Sequence, residues 1–294
     1  MTRPARILRA HGQDGFILVA VLWILVALAT FAGAYAAYVS ATARNASALQ
    51  EEAAARPLAR AALELTAFRL LAQPATARPA SGSFTFRMGK ARVAVSYVEE
   101  TARIDLNVAP LELLAGLFTA LGADPKAAEA DARHVVAWRS SDPEESPPSE
   151  AALYREAQLG YEPRGAPFVH VDELWLIPGL PAELVAAALP HVTVFSGQAQ
   201  VNAAIAGPVA QAAADIARAG DKTDEPPQDP GRSDAVRVTI HADFDSGRQR
   251  TIEAVILLRV AGDVPYRVLA WDEDAPGPAH GRLSAEPGGL ESGQ

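Results

Sequence analysis

The chain has 294 residues and a mass of 30.9 kDa, too long for one minimal domain and long enough for two. Its 26 Lys and Arg against 35 Asp and Glu leave a net charge of −9, which argues against a nucleic-acid binder, because phosphate contacts need clustered cations. It has no cysteine, which excludes disulfides, thiolate metal sites, iron–sulfur clusters and a cysteine nucleophile.

The first predicted element is an apolar helix. Gly15 to Ala43 is a run of 29 residues without a charge, densest at Phe16 to Thr30, FILVAVLWILVALAT. Roughly 20 apolar residues cross a bilayer as a helix. A buried core helix of this length would carry a polar stripe, which is missing. Arg3, Arg6 and Arg9 precede it. Positive flanks stay cytoplasmic. The chain is therefore expected to be single-pass with its N-terminus cytoplasmic and its bulk on the other side, which in a Gram-negative bacterium means a bacterial inner membrane and the periplasm. A cleavable secretory signal has an A-x-A-like site at Ala34-Tyr35-Ala36, but the apolar run is longer than a usual h-region. A permanent anchor is the second reading. The third starts from Gly15 followed at once by Phe16, which resembles the leader junction of type IV pilins and type II secretion pseudopilins. The resemblance implies a cut by prepilin peptidase between Gly15 and Phe16, followed by methylation of the new N-terminus. Most pilins carry Glu as the fifth mature residue, and here that position is Ala20.

The expected transmembrane part is 16–39, and a spine helix follows it. Leu58, Ala61, Ala62, Leu65, Phe68 and Ala72 recur at helical spacing, with Glu51, Glu52, Arg56, Arg60, Glu64 and Arg69 on the other side. Pro57 removes one backbone donor, and Gln73-Pro74 ends the helix. Phe84 to Met88 and Arg92 to Glu99 alternate apolar and polar around Gly89-Lys90, the pattern of a β-hairpin. Five helices are then predicted, at Pro110 to Leu121, Ala127 to Arg139, Ser149 to Gln158, Pro181 to Leu189 and Gly207 to Ala219. Asp221 to Asp234 is a polar, Pro-rich loop. Strands return at Ala235 to Ala242, Arg250 to Val260 and Tyr266 to Trp271, and 273–294 reads as a disordered tail. An isolated hairpin at 84–99 would be marginal in water. One sheet interrupted by an inserted helical domain is therefore favoured over separate domains.

Two motifs lie in the helical block. In IDLNVAP, Ile104 to Pro110, Asn107 is expected to cap the next helix and Pro110 to occupy its first turn. In VDELWLIPGL, Val171 to Leu180, Pro178 and Gly179 form a tight turn between two short helices, like a helix-hairpin-helix unit. Gly179 to Leu189 holds no Lys or Arg, so a packed structural hairpin is the better reading and nucleic acid is not an expected partner. Asp142, Glu144 and Glu145 form an acidic loop that is the candidate calcium site, with Asp172 and Glu173 as further donors. A solvated loop is its plainer reading, and Asp172 serves equally as a helix cap. No hydrolase, zincin or nucleotide-binding pattern occurs, and the six histidines are scattered. No enzyme activity is expected.

Gly15-Phe16, Ala20, IDLNVAP, VDELWLIPGL, HVTVFSG (His191 to Gly197) and PYRVLAW (Pro265 to Trp271) occur in this order. The ordered set resembles the general secretion pathway protein K family of type II secretion minor pseudopilins, from Gly15 to Trp271. The resemblance implies an α+β fold: a type IV pilin-like long N-terminal helix plus an antiparallel sheet, with an inserted all-α, SAM-like or helix-hairpin-helix-like domain. The expected parts are a prepilin leader at 1–15, the membrane part at 16–39, and spine and first strands at 40–100. A first SAM-like domain at 101–197 and a second, degenerate unit with its loop at 198–234 follow, then C-terminal strands at 235–272. The second unit departs from the family's usual I-N-x-N-T-A at Ala204 and Ile205. The resemblance also implies a place at the pseudopilus tip, the minor pseudopilins I and J as partners, the secreted substrates and the outer-membrane secretin as further contacts, and a capacity for calcium. The alternative is an N-terminally anchored periplasmic binding or scaffold protein with the same helical units.

Overall fold

A computed structural model of the chain describes residues 14–220, 231–259 and 264–273. The expected leader up to residue 13, loop residues 221–230, Val260 at the end of a predicted strand, and the tail from 274 lie outside the described residues. Helix α1 runs Asp14–Leu71 without a break, with Pro57 inside it. The chain divides into two units, Met1–Pro57 and Leu58–Gln294.

The first unit is the apolar part of α1. Leu18–Thr42 is a 25-residue stretch of mean hydropathy 2.3 whose side chains are exposed. Its two threonine hydroxyls fold back on the helix: Thr30 Oγ1 donates to the Ala27 carbonyl at 2.8 Å and Thr42 Oγ1 to that of Tyr38 at 2.9 Å. Polar groups satisfied within the helix are tolerated in an apolar medium.

In the second unit, the end of α1 buries a stripe of Leu58, Ala59, Ala62, Leu63, Thr66, Ala67 and Leu70. This corrects the stripe expected from the sequence, since Phe68 is 71% exposed and Ala72 is exposed too. The true stripe passes through Thr66, whose hydroxyl donates to the Ala62 carbonyl at 2.7 Å and so can be buried. Past the helix end, the buried Arg78 donates from Nε to the Leu70 carbonyl at 3.2 Å. Its Nη1 pairs with Asp234 at 2.8 Å. A cation on a terminal carbonyl suits a helix C-terminus.

Five antiparallel strands form the sheet: β1 Ser81–Met88, β2 Ala91–Glu99, β5 Ala235–Phe244, β6 Gln249–Leu258 and β7 Tyr266–Asp272, in the order β1-β2-β5-β6-β7. β2 and β5 pair along their whole length, from Ala91↔Phe244 to Glu99↔Val236, so residues 100–234 are an insertion between neighbouring strands. Gly89 and Gly247, in the two hairpin turns, have φ of +59° and +86°, the left-handed region that favours glycine. Alternate residues of β5, from Val236 through Val238, Ile240 and Ala242 to Phe244, are buried on one face. The helix end is tied to the sheet by Tyr266 Oη donating to Glu64 at 3.1 Å and by Arg69 lying 4.0 Å over the Phe84 ring.

The insertion holds α2 Leu111–Ala120, α3 Pro125–Arg139, α4 Pro148–Glu156, α5 Ala182–Ala188 and α6 Pro208–Gly220, close to the predicted helices. Its entrance and exit are joined by a parallel clip that the sequence reading missed. Strand β3, Ile104–Asp105, pairs with β4, Val192–Thr193. One apolar core serves the whole insertion, from Ile104, Leu117, Phe118 and Tyr154 to Ala210 and Ala213. Among the described residues, the expected second unit shares this core through Val201, Ala206, Ala210 and Ala213, and it contributes α6, laid directly on α2. A Cβ on Gly116 would stand 2.4 Å from the Ala213 carbonyl oxygen, so only glycine lets the two backbones approach this closely. The segment Val171–Leu176 is a 3-10 helix, so the expected hairpin has one 3-10 arm and one short α arm.

Candidate functional site

Two regions can carry function: the apolar span and the insertion. Gly15 and Phe16 lie in the first turn of α1, and Ala20 follows one turn on, in a stretch that holds no carboxylate.

The insertion is held to the sheet by a buried ionic joint. Glu100, fully buried, accepts from Arg237 of β5 at both oxygens, Nε to Oε1 at 2.7 Å and Nη2 to Oε2 at 3.1 Å. Arg237 also pairs with Glu253 of β6, the Thr193 hydroxyl donates to Glu100, and Arg103 stands 3.8 Å from it. Burial opposes the charge of Arg237, but Glu100 and Glu253 outweigh it and hold the guanidinium above its ordinary value. Beside this joint, Glu99 pairs with Arg232. Asp105 of the clip accepts from Ser196 Oγ at 3.0 Å and from the Gly197 amide at 2.8 Å.

The two sequence motifs meet at the segment 168–173. Asn107 does not cap α2, which begins after Pro110 without a side-chain cap. Pro110 has already turned the chain away, and the Asn107 amide instead grips Phe168. Its Nδ2 donates to the Phe168 carbonyl at 3.0 Å and its Oδ1 accepts from the Phe168 amide at 2.6 Å. Arg139, at the end of α3, donates to the carbonyls of Leu106 and Ala109 and so pins IDLNVAP from the other side. Glu173 takes donors from Trp138 Nε1 at 3.0 Å, Arg164 at 3.0 Å and the Val169 amide at 2.8 Å. Burial pushes the Glu173 carboxyl up, but these donors and the Arg164 charge prevail and leave it below the usual carboxylate range. Asp172 is not the cap of the 3-10 helix; His170 is, its Nδ1 accepting from the Asp172 amide at 3.2 Å. Gly179, φ +92°, turns the chain beside His134. The His134 Nδ1 lies 2.9 and 3.0 Å from the two Glu150 oxygens, tying α3 to α4. That hydrogen bond raises the imidazole above its ordinary value against the cost of burial, with the charges of Glu150 and Asp131 adding to it.

The calcium expectation does not fit the arrangement found. Asp142 spends Oδ1 on the Glu144 amide at 2.9 Å, and its carbonyl accepts from the amides of Glu145 and Ser146, which makes this loop a self-capped turn. Asp142, Glu144 and Glu145 are all exposed, while Glu173 is fully engaged elsewhere. Among the described residues, no group of three or more His, Asp or Glu side chains could hold a metal ion. Calcium wants six to eight oxygens converging on one point.

The residues the sequence reading passed over are Arg139, Glu150 and Arg237, while Glu99-Glu100, which reads in the sequence as a solvated face, is buried at 1% and 0% exposure. Their partners are distant in sequence, 137 positions for Glu100 and Arg237. The legible signal was the pair Glu99-Glu100 at the end of a strand, one of three Glu-Glu pairs in the chain and no different in sequence from a solvated face.

Residues 95–197 match a family model described as type II secretion system (T2SS), protein K. Among solved structures, the chain is similar to one in the crystal structure of the GspK-GspI-GspJ complex from the enterotoxigenic Escherichia coli type 2 secretion system, with a TM-score of 0.49 and 16% identity over 80% of this chain and 98% of that chain. No curated protein matches.

Proposed function

We propose that the chain, whose residues 95–197 match the protein K model of the type II secretion system, works as a minor pseudopilin at the tip of a periplasmic pseudopilus. The observation that carries the reading is the placement of that match: it covers the end of β2 and the first 98 residues of the insertion between β2 and β5, while α1 leads into the same unit from an apolar span. Before assembly the span holds the subunit in the inner membrane. Prepilin peptidase cuts after Gly15, Phe16 becomes the methylated N-terminus, and the apolar face then packs among the helices of other subunits. A carboxylate in an apolar helix is costly unless paired. With Ala20 in place of the usual Glu, this subunit avoids that cost and makes no such pair with a neighbour. The insertion broadens the subunit so that no further one stacks above it. The partners are the minor pseudopilins I and J, with the secreted substrate and the secretin met at the tip. The role is initiation of the pseudopilus and export across the outer membrane, and it needs no chemistry.

The test is the N-terminal mass of membrane-extracted protein made together with a prepilin peptidase. A chain that starts at N-methylated Phe16 and copurifies with I and J is the expected result. An intact leader in the presence of active peptidase would mean a permanent anchor and overturn the reading.

A further inference from the structure

Five of the six large apolar side chains exposed on the described insertion, residues 101–220, come from three short stretches: Val108, Tyr161, Val169, Trp175 and Leu176, with Ile216 elsewhere. Val169 is 63% and Trp175 48% exposed. These stretches are fastened together. Asn107, next to Val108, grips Phe168, next to Val169. Tyr161 Oη donates to the Leu176 carbonyl at 3.0 Å, and its ring stands edge-on to Trp138 and Tyr154 at 6.4 and 5.8 Å. Glu173 pins the 3-10 helix that carries Trp175 and Leu176 to the Val169 amide. An apolar surface held this firmly loses little side-chain freedom when covered.

Its electrical setting names the kind of cover. Residues 101–220 carry 15 Asp and Glu against 7 Lys and Arg, a net −8. Two cations bonded to these stretches are committed: Arg164 pairs with Glu173, and Arg139 donates to the Leu106 and Ala109 carbonyls. That leaves the exposed carboxylates of Glu162, beside Tyr161, and Asp172, one 3-10 turn before Trp175 and 3.2 Å from the His170 ring. Exposed Trp and Tyr faces beside carboxylates attract Lys and Arg by cation–π and ionic attraction together.

We infer that this patch is a docking surface for a segment of another protein chain in which an apolar side chain is flanked by Lys or Arg. The apolar side chain sits among Val108, Val169 and Leu176, while the cations reach Trp175, Tyr161, Glu162 and Asp172. This holds whether or not the chain is cut at Gly15, so its test is separate from that of the proposed function.

The probes are two fluorescently labelled synthetic peptides with one Leu-Phe centre, flanked by Lys in one and by Glu in the other. They are titrated onto the full chain in nanodiscs of neutral lipid, with empty nanodiscs as the blank. The Lys peptide is expected to bind at least tenfold tighter than the Glu peptide and to weaken as salt rises. Trp175→Ser with Leu176→Ser is expected to lose that binding. Glu162→Lys with Asp172→Lys, both at exposed positions and with folding checked by circular dichroism, is expected to reverse the preference. Equal binding of both peptides, or binding untouched by either pair of substitutions, would overturn the inference. So would self-association of the chain that disappears in Trp175→Ser with Leu176→Ser, since a second copy would then be the occupant.

Discussion

Arg237 on the sheet and Glu100 at the mouth of the insertion are joined by two parallel hydrogen bonds of 2.7 and 3.1 Å, in a setting where Glu100 has no exposed surface. A buried charge pair contributes little net stability, because desolvation offsets its attraction, yet removing one partner strands the other. Arg237→Ala is therefore expected to cost about 3–5 kcal/mol. Glu253 is then left without its guanidinium as well. Urea unfolding of the full chain in detergent measures the loss, and a cost below that of an ordinary surface substitution would mean that water reaches the joint.

Asn107→Ala removes both hydrogen bonds to Phe168 and leaves its buried backbone groups short of partners, at an expected cost of about 2 kcal/mol. The sharper readout is amide exchange. The Phe168 amide should exchange faster in the variant, while amides of α3 keep their protection. Asn107→Asp keeps the acceptor and loses the donor, so it should fall between the two.

Gly116→Ala places a methyl group 2.4 Å from the Ala213 carbonyl oxygen, and backbone cannot yield as a side-chain tip can. The helices must separate, at an expected cost of about 1–3 kcal/mol. The gain in helix propensity from Gly to Ala works the other way and is smaller. A variant as stable as the parent would show that α6 slides freely on α2.

His134 is held above its ordinary 6.5 by the hydrogen bond to Glu150. A group whose folded value is raised stabilises fully below its unfolded value and loses that contribution as pH rises through the folded one. Stability of the α3–α4 contact should thus be highest below about pH 6.5 and decline above it. His134→Gln should flatten that decline. An unchanged pH profile in the variant would assign it to other groups.

How much of this was legible in the sequence depended on the range of each interaction. The hairpin, the C-terminal strands and the five helices of the insertion announce themselves by local period, and the structure places them within a few residues. The interrupted sheet was legible because a lone hairpin is unstable. The spine stripe expected through Phe68 and Ala72 runs instead through Thr66, whose bond to the Ala62 carbonyl lets a hydroxyl be buried, a local detail that apolar spacing does not show. The clip of β3 on β4 has two residues per strand, too few for any period. Asn107 has the right chemistry for a cap, and whether it caps or grips is decided by Phe168, 61 residues away. The acidic loop carried the right side chains for a cation but turned its main acceptor, Asp142, onto its own backbone.

The clip also bears on the order of folding. β2 cannot pair with β5 until 135 intervening residues have been gathered in. Once Ile104 lies against Val192, most of that length is already folded away, and only about a third remains to be closed as loose chain. By loop-closure entropy this shortcut is worth about 1 kcal/mol. Amides of the insertion are expected to gain protection before those of β2 and β5 in pulse-labelled exchange, and simultaneous protection would refute that order. The insertion would thus serve as a splint: a chain segment that must set first so that the two halves of the sheet arrive within reach of each other.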